Sequence, residues 1–436
     1  MVRAGFGKAA ISPSVGDPLA GFAARQGNCE GIHDELFSRA LVLESDGTAI
    51  AIISLDVLAV PSELVDRLRA GIEERTGIPR EAVMIASTHT HAGPVTIKTF
   101  FNPDGALDSG YMASFERAIY DSVLSAWESR EPAKVGVGSG TVKGIGVNRR
   151  TADKKPVDEE VGIIKVEDES GKVRAVIMNY SCHPTVLGSD NLLATGDFPY
   201  FAIEKVEQGI GENGFAMFVN GTQGNISMGH SSELSAIGVV TPGRTFEHAE
   251  ELGHKLADAT LASVRAIEAT DSLEIKAMIS RVRFPLKALP EPANAGLELI
   301  AAEKELAAAE KNGNLAEAVM AAKSKRLYAS ITNFYARETA IFEDGNLPVD
   351  LQGVRIGDAA LFAIPAEVFV EIGLRIKQRT ERKVFVVGIA NGYIGYLPTA
   401  DAYEVGGYEV ISSKVAPESE ALLYGELNRL EASLFS

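Results

Sequence analysis

Short apolar runs that end in small polar residues recur along this chain, and they predict the strands of an α/β fold. Segments 39–44 and 48–57 flank an Asp-Gly turn, which predicts a β-hairpin. Apolar residues at helical spacing over 64–72 predict a helix, and the apolar run 83–86 predicts a buried strand after it. This order of strand, helix and strand favours an α/β sheet with its reactive loops at strand ends.

Further strands and helices alternate along the rest of the chain. The pattern predicts strands near 134–142, 161–167, 173–180, 215–219, 361–364 and 384–389, and helices near 112–128, 200–208, 245–267, 368–377 and 420–434. Over about 293–340, two Ala- and Glu-rich segments meet at Asn312-Gly313-Asn314 and predict an inserted antiparallel helical hairpin. The hairpin either covers a site as a lid or mediates dimerisation. We expect a single domain over 1–436 with a mixed sheet and this insertion.

Two histidines separated by one residue follow the strand 83–86. If strand geometry continues through His89 to His91, both imidazoles point to the same face at the end of the strand. Neutral imidazole is a good zinc ligand, so this pair is a candidate metal site. The competing interpretation is a pair of histidines that caps the edge of a sheet.

Other apolar strands also end in residues that can carry chemistry. Strand 173–180 leads to His183, and the proline after it cannot continue a sheet. Strand 215–219 leads to a glycine-spaced polar loop containing Ser227, where backbone N–H groups and a hydroxyl can approach a substrate. Glu367 lies where a strand passes into a helix, and it either ligates a metal or occupies the first helical turn.

Composition narrows the class of protein. The hydrophobic fraction of 46% and the charged fraction of 23% are those of a globular protein with a sizeable core. The net charge of −17 argues against nucleic acid and against an anionic membrane surface, because both bind clustered Lys and Arg. Cys29 and Cys182 cannot form a disulfide framework, and no signal-peptide pattern or membrane-spanning stretch is present. We therefore expect a cytoplasmic protein without stable membrane anchoring.

Several separated motifs, taken in order, resemble the catalytic domain of the neutral/alkaline non-lysosomal ceramidases. The matching stretches are Gly31-Ile32-His33 with Arg39-Ala40, Thr88-His89-Thr90-His91-Ala92-Gly93-Pro94, Asn148-Arg149, His183-Pro184-Thr185, Gly224-Asn225-Ile226-Ser227, Pro365-Ala366-Glu367, Tyr393-Ile394-Gly395-Tyr396 and Tyr408-Glu409. The resemblance covers roughly residues 4–415 and implies a ceramidase-like α/β fold.

The resemblance also implies a zinc amidase that cleaves N-acyl sphingosine, with one zinc ion per chain. By position it implies four metal ligands: His89, His183, Glu367 and Tyr396. It implies four further catalytic residues: His91, Tyr408, Ser227 and Arg149. His91 and Tyr408 are expected to donate hydrogen bonds to the oxyanion that develops on the scissile carbonyl. Ser227 is expected to orient the attacking water, with action as the nucleophile as the alternative.

Departures from the family pattern concern the substrate. Val95-Thr96 stand where the family has a glycine pair, and Asn225 stands where ceramidases commonly carry Asp. We expect neither the C-terminal immunoglobulin-like domain nor the secretion signal of ceramidases. The expected function is therefore amide hydrolysis of a small N-acyl compound, either ceramide-like or more soluble, by a chain that could form a homo-oligomer. The alternatives are a zinc esterase or lactonase, a metal-binding homologue without turnover, and an amidohydrolase barrel, whose repeats the pattern does not favour.

Overall fold

The computed structural model describes residues 1–103, 109–312 and 315–436, so Gly313 and Asn314 of the predicted hairpin turn lie outside it. The strands are β1 (Val2–Ala10), β2 (Gly31–Ile32), β3 (Phe37–Ser45), β4 (Thr48–Leu55), β5 (Val83–Ser87), β6 (Glu131–Thr141), β7 (Val147–Asn148), β8 (Glu160–Asp168), β9 (Val173–Tyr180), β10 (Leu193–Ala194), β11 (Phe215–Asn220), β12 (Ile226–Ser227), β13 (Ile275–Pro285), β14 (Asn346–Ile356), β15 (Ala359–Ala363), β16 (Glu367–Val368), β17 (Lys383–Val387) and β18 (Tyr396–Leu397). The helices are α1 (Ser62–Thr76), α2 (Ser109–Glu128), α3 (Phe198–Ile210), α4 (Ser232–Ala236), α5 (Phe246–Val264), α6 (Pro292–Lys311), α7 (Ala316–Thr339), α8 (Val370–Gln378), α9 (Ala402–Val405), α10 (Tyr408–Ile411) and α11 (Ser419–Leu434), and a 3₁₀ turn spans Arg80–Ala82.

A mixed sheet in the order β11-β9-β8-β6-β1-β3-β4-β5 forms the larger layer of the fold. The pairs β4–β5 and β9–β11 are parallel, and the other neighbours are antiparallel. The hairpin predicted from the Asp-Gly turn is β3 with β4. Both strands are buried because helices α1 and α2 and the strands β14 and β15 contribute to the same apolar core. The predicted mixed α/β fold class is confirmed.

A second sheet has the order β13-β14-β15-β17 and includes strands that the sequence pattern does not reveal. Strands β13 and β14 pair over their full lengths, from Ile275 opposite Ile356 to Pro285 opposite Asn346. Charged and apolar residues alternate irregularly along these strands, because β13 is only partly buried. The sequence therefore shows no hydrophobic period of two there. Helix α11 covers part of this sheet through Leu430 and Leu434.

Several strand ends converge at one edge of the two sheets. The side-chain amide of Asn220, at the end of β11, donates to the carbonyl oxygens of Thr88 (3.0 Å) and Cys182 (3.1 Å). These carbonyls lie in the segments that follow β5 and β9, so one amide joins three strand ends. The short parallel pair β16–β18 sets Glu367 directly beside Tyr396. The residues with candidate chemistry are thus brought together by pairing between distant segments.

The expectation that strand geometry continues to His91 is wrong. Strand β5 ends at Ser87, and His89 has a φ of 70°, in the left-handed region that residues other than glycine rarely occupy. The backbone turns because the N–H groups of Thr88 and His89 donate to the carbonyls of Leu55 (2.8 Å) and Val57 (3.1 Å). The two imidazoles nevertheless come close, with ring centroids 5.0 Å apart at an interplanar angle of 84°. A turn, rather than strand periodicity, therefore places them together.

Helices α6 and α7 occupy the region where the helical hairpin is predicted. Helix α7 packs against α10 and contributes Phe334 and Tyr335 to the wall of a cleft that reaches His91. The hairpin therefore forms part of the surroundings of the candidate site. Within residues 1–103, 109–312 and 315–436, no helix combines the length and apolar character needed to cross a bilayer.

Candidate active site

Three imidazoles form the centre of the site. The ligand nitrogens of His89, His91 and His183 all lie within 4.8 Å of one another. His89 and His183 are almost completely buried, and their ring centroids are 5.1 Å apart. Three converging imidazole rings are a common arrangement in metal sites. Their convergence is therefore more than the capping of a sheet edge requires.

Backbone carbonyls fix the orientation of two of these rings. Nδ1 of His89 lies 2.7 Å from the carbonyl oxygen of Leu58, and Nδ1 of His183 lies 2.7 Å from that of Gln223. A carbonyl oxygen can only accept, so both Nδ1 atoms carry the proton and donate it. In the neutral rings each Nε2 then presents a lone pair. A histidine that ligates a metal through one ring nitrogen characteristically donates the N–H of the other ring nitrogen to a carbonyl or carboxylate oxygen.

Both Nε2 lone pairs face the same carboxylate oxygen. Oε2 of Glu367 lies 2.9 Å from Nε2 of His183 and 3.5 Å from Nε2 of His89. Lone pairs that face each other in a buried site repel unless a cation or a proton lies among them. His91 adds a further observation, because neither of its ring nitrogens has a hydrogen-bond partner among the described residues. Nitrogen and oxygen donors of this kind fit zinc.

Burial keeps the imidazoles in the neutral form that a metal requires. Desolvation, together with the positive charge of Arg149, lowers the pKa of His183 to about 4, although hydrogen bonding to Glu367 opposes the change. Desolvation likewise lowers the pKa of His91 well below its usual value, and the neighbouring rings of His89 and His183 add to this. At neutral pH both rings are therefore unprotonated.

Tyr393 is a site residue that the sequence reasoning did not assign. Its hydroxyl donates to Oε1 of Glu367 at 2.6 Å, so it holds the carboxylate with Oε2 turned towards His89 and His183. The segment before it is fixed by the backbone N–H of Asn391, which donates to the carbonyl of Ile85 at 2.7 Å. Its place three residues before Tyr396 in the tyrosine-rich loop is the sequence signal that could have found it.

Tyr393→Phe is expected to weaken metal binding about 10- to 100-fold, because outer hydrogen bonds orient a ligating carboxylate. The measurement is competition for zinc against a chelating dye. Tyr120→Phe is the matched control, because the Tyr120 hydroxyl donates to the backbone carbonyl of Arg67 and Tyr120 lines neither cavity of the site. Equal zinc affinity in the Tyr393 variant and in the control would show that Glu367 does not depend on this hydrogen bond.

Arg149 connects the metal-site candidates to a buried acid. Its Nη2 donates to the Tyr396 hydroxyl at 3.0 Å and to the carbonyl of Gly224 at 2.8 Å. Its Nε donates to Oε1 of Glu409 at 2.8 Å, and Arg150 donates to the other oxygen at 2.7 Å. Burial alone would raise the pKa of Glu409, but the two guanidinium groups outweigh it and hold that pKa below its usual value. Glu409 is a second residue that the sequence reasoning did not assign.

Ser227 and Arg149 lie on the same side of the site. Ser227 and Ile226 in β12 pair with Val147 and Asn148 in β7, which places Ser227 close to Arg149 in the chain that follows. The Ser227 hydroxyl contacts only backbone groups among the described residues, namely the N–H of Gly229 and the carbonyl of His230. No imidazole or carboxylate of the described residues therefore activates it.

The loop before Ser227 passes very close to Glu367, and glycine makes this possible. A Cβ on Gly224 would lie 2.5 Å from the carbonyl oxygen of Glu367 and 2.8 Å from that of Val368. A Cβ on Gly21 would lie 2.4 Å from Cα of His91, and Gly21 has a φ of 103°. Larger residues at these two positions would push the loops apart and displace the site residues.

Two cavities meet at the site. A cleft of about 730 Å³ reaches His89, His91 and Glu367 and is lined by aromatic side chains from α7 and from the tyrosine loop. A narrower cavity of about 60 Å³ on the other side is lined by His183, Ser227 and several serines. His91, Tyr396 and Tyr408 border both cavities. All eight residues predicted from the sequence thus border one or both of these adjoining cavities, while their individual roles stay predictions.

The chain is similar in sequence to known proteins over almost its whole length. Residues 3–233, more than half of the chain, match the family profile described as neutral/alkaline non-lysosomal ceramidase, N-terminal. The neutral ceramidase of Pseudomonas aeruginosa is 24% identical over 486 aligned residues, which cover 96% of this chain and 70% of that protein. The neutral ceramidase of Mycobacterium tuberculosis is 24% identical over 476 residues, covering 94% of this chain and 73% of that protein.

Solved structures share the fold. The crystal structure of the neutral ceramidase from Pseudomonas aeruginosa superposes with a TM-score of 0.76 at 21% identity, over 98% of this chain and 73% of that one. A structure of a ceramidase complexed with C2 gives a TM-score of 0.73 at 18% identity, over 97% and 73% of the two chains. The fold and the matched relatives define the class of this protein, which is a hydrolase with the mixed α/β fold of ceramidases.

The family follows from the match of residues 3–233, more than half of the chain, to the family profile. This chain belongs to the neutral/alkaline non-lysosomal ceramidase family. The resemblance drawn from the motifs is confirmed.

Proposed function

We propose that this chain is a zinc-dependent amidohydrolase that cleaves the amide bond of an N-acyl compound, either ceramide-like or smaller and more soluble. The observation that carries the proposal is the meeting of two imidazole lone pairs with Glu367 Oε2, at 2.9 Å from His183 and 3.5 Å from His89, at the end of a cleft. Family membership supports the reaction class, because the relatives are named ceramidases.

The residues present supply a suitable set of ligands. We propose that His89, His183, Glu367 and Tyr396 hold one zinc ion per chain. When bound, zinc supplies a water whose pKa is about 7 and polarises a carbonyl oxygen. Burial raises the pKa of Tyr396 well above its usual value, and Arg149 opposes this. The Arg149 guanidinium therefore favours the ionised phenol that ligation requires.

The remaining residues are arranged around the position of a substrate carbonyl. His91 borders both cavities, and its two ring nitrogens have no hydrogen-bond partner in the part of the chain that the structure describes, so it can exchange hydrogen bonds with a substrate. Tyr408 borders both cavities as well, and burial raises the pKa of its hydroxyl, so it stays protonated. A protonated phenol can donate to the oxyanion that develops during attack on an amide.

Ser227 is proposed to orient the attacking water. A serine nucleophile needs an adjacent base, and the contacts of the Ser227 hydroxyl within the described chain are a backbone N–H and a backbone carbonyl. As both donor and acceptor, its hydroxyl can hold a water in the narrower cavity, which it lines together with His183.

The test combines metal content with hydrolysis. The protein is purified, its zinc is measured by mass spectrometry, and short- and long-chain N-acyl amides are offered with and without chelator. We expect about one zinc per chain and cleavage of amides that chelator abolishes and added zinc restores. Zinc with ester or lactone cleavage but no amide cleavage would favour the esterase alternative. A protein without metal that still cleaves amides would contradict the proposed mechanism.

A further inference from the structure

The large cleft that leads to the site carries charged side chains along its walls. Four cationic residues line it, of which Lys98 is exposed to solvent: Arg69, Lys98, Arg281 and Lys414. The same walls carry the carboxylates of Glu63, Asp66, Glu338, Asp350 and Glu367. Arg281 is paired with Asp350 through two contacts of 2.6 and 2.9 Å. Arg69 and Lys414 have no ion-pair partner among the described residues, and Nη2 of the buried Arg69 has no hydrogen-bond partner there either. A cleft lined only for an alkyl chain would not need unpaired cations.

Lys414 is the cation of this group that the structure ties most closely to the active site. Its ammonium lies over the ring of Tyr335, 5.3 Å from the centroid. The hydroxyl end of Tyr335 packs against Gly395, where an added Cβ would lie 3.0 Å from the hydroxyl oxygen. Gly395 immediately precedes Tyr396, and it forms a β-bridge with Ser413, the residue before Lys414. One continuous set of contacts thus runs from the ammonium to the site.

The backbone that carries the Lys414 ammonium is held in place. The carbonyl of Lys414 accepts from the N–H of Lys287 at 2.9 Å, which fixes the backbone. Desolvation lowers the pKa of Lys414, and Glu338 and Glu63 only partly oppose this from beyond salt-bridge distance. Glu63 and Glu338 are both exposed, so water already solvates their charges. The half-buried ammonium therefore faces the cleft without a salt-bridge partner among the described residues, and an anionic group there would stabilise it.

We infer that Lys414 binds an anionic group on the part of the substrate that extends into the cleft, so that the substrates of this chain are N-acyl compounds bearing a carboxylate. This inference rests on the proposed function, because it describes the substrate of the same amidohydrolase. The Tyr335 ring would pack against the apolar stem that joins the carboxylate to the amide. The carboxylate lies on either the amine side or the acyl side of the scissile bond, and the experiment separates the two.

The experiment compares two matched pairs of substrates on the wild-type enzyme, Lys414→Met and Lys414→Arg. N-octanoylglycine and N-octanoylglycinamide differ by a carboxylate on the amine side. The ethanolamine monoamide of suberic acid and N-octanoylethanolamine differ by a carboxylate on the acyl side. In one of the two pairs, we expect the wild type to prefer the substrate that bears the carboxylate. Lys414→Met should lower that preference about 10- to 100-fold, chiefly through KM. Lys414→Arg should retain most of the preference.

Binding is measured separately, so that the inference does not depend on turnover. Calorimetry with N-octanoylglycine and with the suberic acid monoamide should show weaker binding of one of them to Lys414→Met than to the wild type. Equal preference and equal affinity in the wild type and in Lys414→Met, for both pairs, would overturn the inference while leaving amide hydrolysis intact. If Lys414→Met loses affinity for one of these anions while the wild-type protein cleaves no amide, the anion site is supported and the proposed function is refuted.

Discussion

Replacing His183 by alanine is expected to abolish zinc binding and to lower kcat/KM by about a thousandfold or more. The imidazole donates through Nδ1 to the carbonyl of Gln223 and presents Nε2 to Glu367 at 2.9 Å, so the ring is fixed in the orientation that a metal ligand needs. Metal polarisation of a reacting carbonyl contributes several kcal/mol, and each ~1.4 kcal/mol corresponds to a factor of ten in rate. Zinc per chain by mass spectrometry and kcat/KM on an N-acyl amide are the measurements.

Three further variants make the His183 result specific. His183→Asn retains a donor towards the carbonyl of Gln223 but lacks Nε2, so it should fold and still lose zinc. Ser227→Ala should keep zinc and lose rate, because its hydroxyl contacts backbone groups and not the imidazoles. His254→Ala, on the outer part of α5, is the matched histidine control and should keep both. Full zinc occupancy in either His183 variant would refute the ligand assignment.

Removing the guanidinium of Arg149 is expected to reduce both catalysis and stability. Its side chain is only 6% exposed and makes charged contacts with Glu409 and the Tyr396 hydroxyl. Breaking a buried ion pair costs about 3–5 kcal/mol, and because Arg150 still faces Glu409 we expect the lower end for Arg149→Met. Loss of the donor to Tyr396 should lower kcat/KM by about a hundredfold, as for other preorganised donors. Denaturant unfolding and steady-state kinetics measure the two effects.

Arg150→Met separates the catalytic effect from the structural one. Arg150 also binds Glu409, at 2.7 Å, and the carbonyl of Gly406, but it does not contact Tyr396. We expect a comparable loss of stability with less than about a tenfold loss of kcat/KM. Arg149→Lys should not restore the wild-type rate, since one ammonium cannot reproduce the planar set of three contacts. Equal kinetic losses in the Arg149 and Arg150 variants would mean that Arg149 acts only through folding.

The sequence predicted the elements around the site well, and for a physical reason. Strands β5, β11 and β15 and the inner part of β9 are mainly apolar because both of their faces are buried, and such runs stand out against a polar background. Strands β13 and β14 were not recognised, because partial exposure of β13 and charged residues along the pair interrupt any period of two. The long pairing that joins them is visible only in three dimensions.

One regular arrangement expected from the sequence, a strand through His89 and His91, is absent from the structure. The sequence predicted that His89 and His91 are cofacial because a strand continues through them, whereas the chain turns at His89 with a φ of 70°. The turn is imposed by hydrogen bonds from Thr88 and His89 to Leu55 and Val57, more than thirty residues earlier in the chain. A local period cannot contain that information.

The sequence by itself determined which residue types stand at the strand ends, the acidic composition, and a motif order that placed the chain in its family. The tertiary structure alone decided which atoms face each other. Nε2 of His183 meets a carboxylate 184 residues away, Tyr393 holds that carboxylate, and Glu409 fixes Arg149 from a distance of 260 residues. Hydrogen-bond direction and burial depend on these distant partners, because only the folded chain supplies the carbonyl that fixes a tautomer or the wall that removes water.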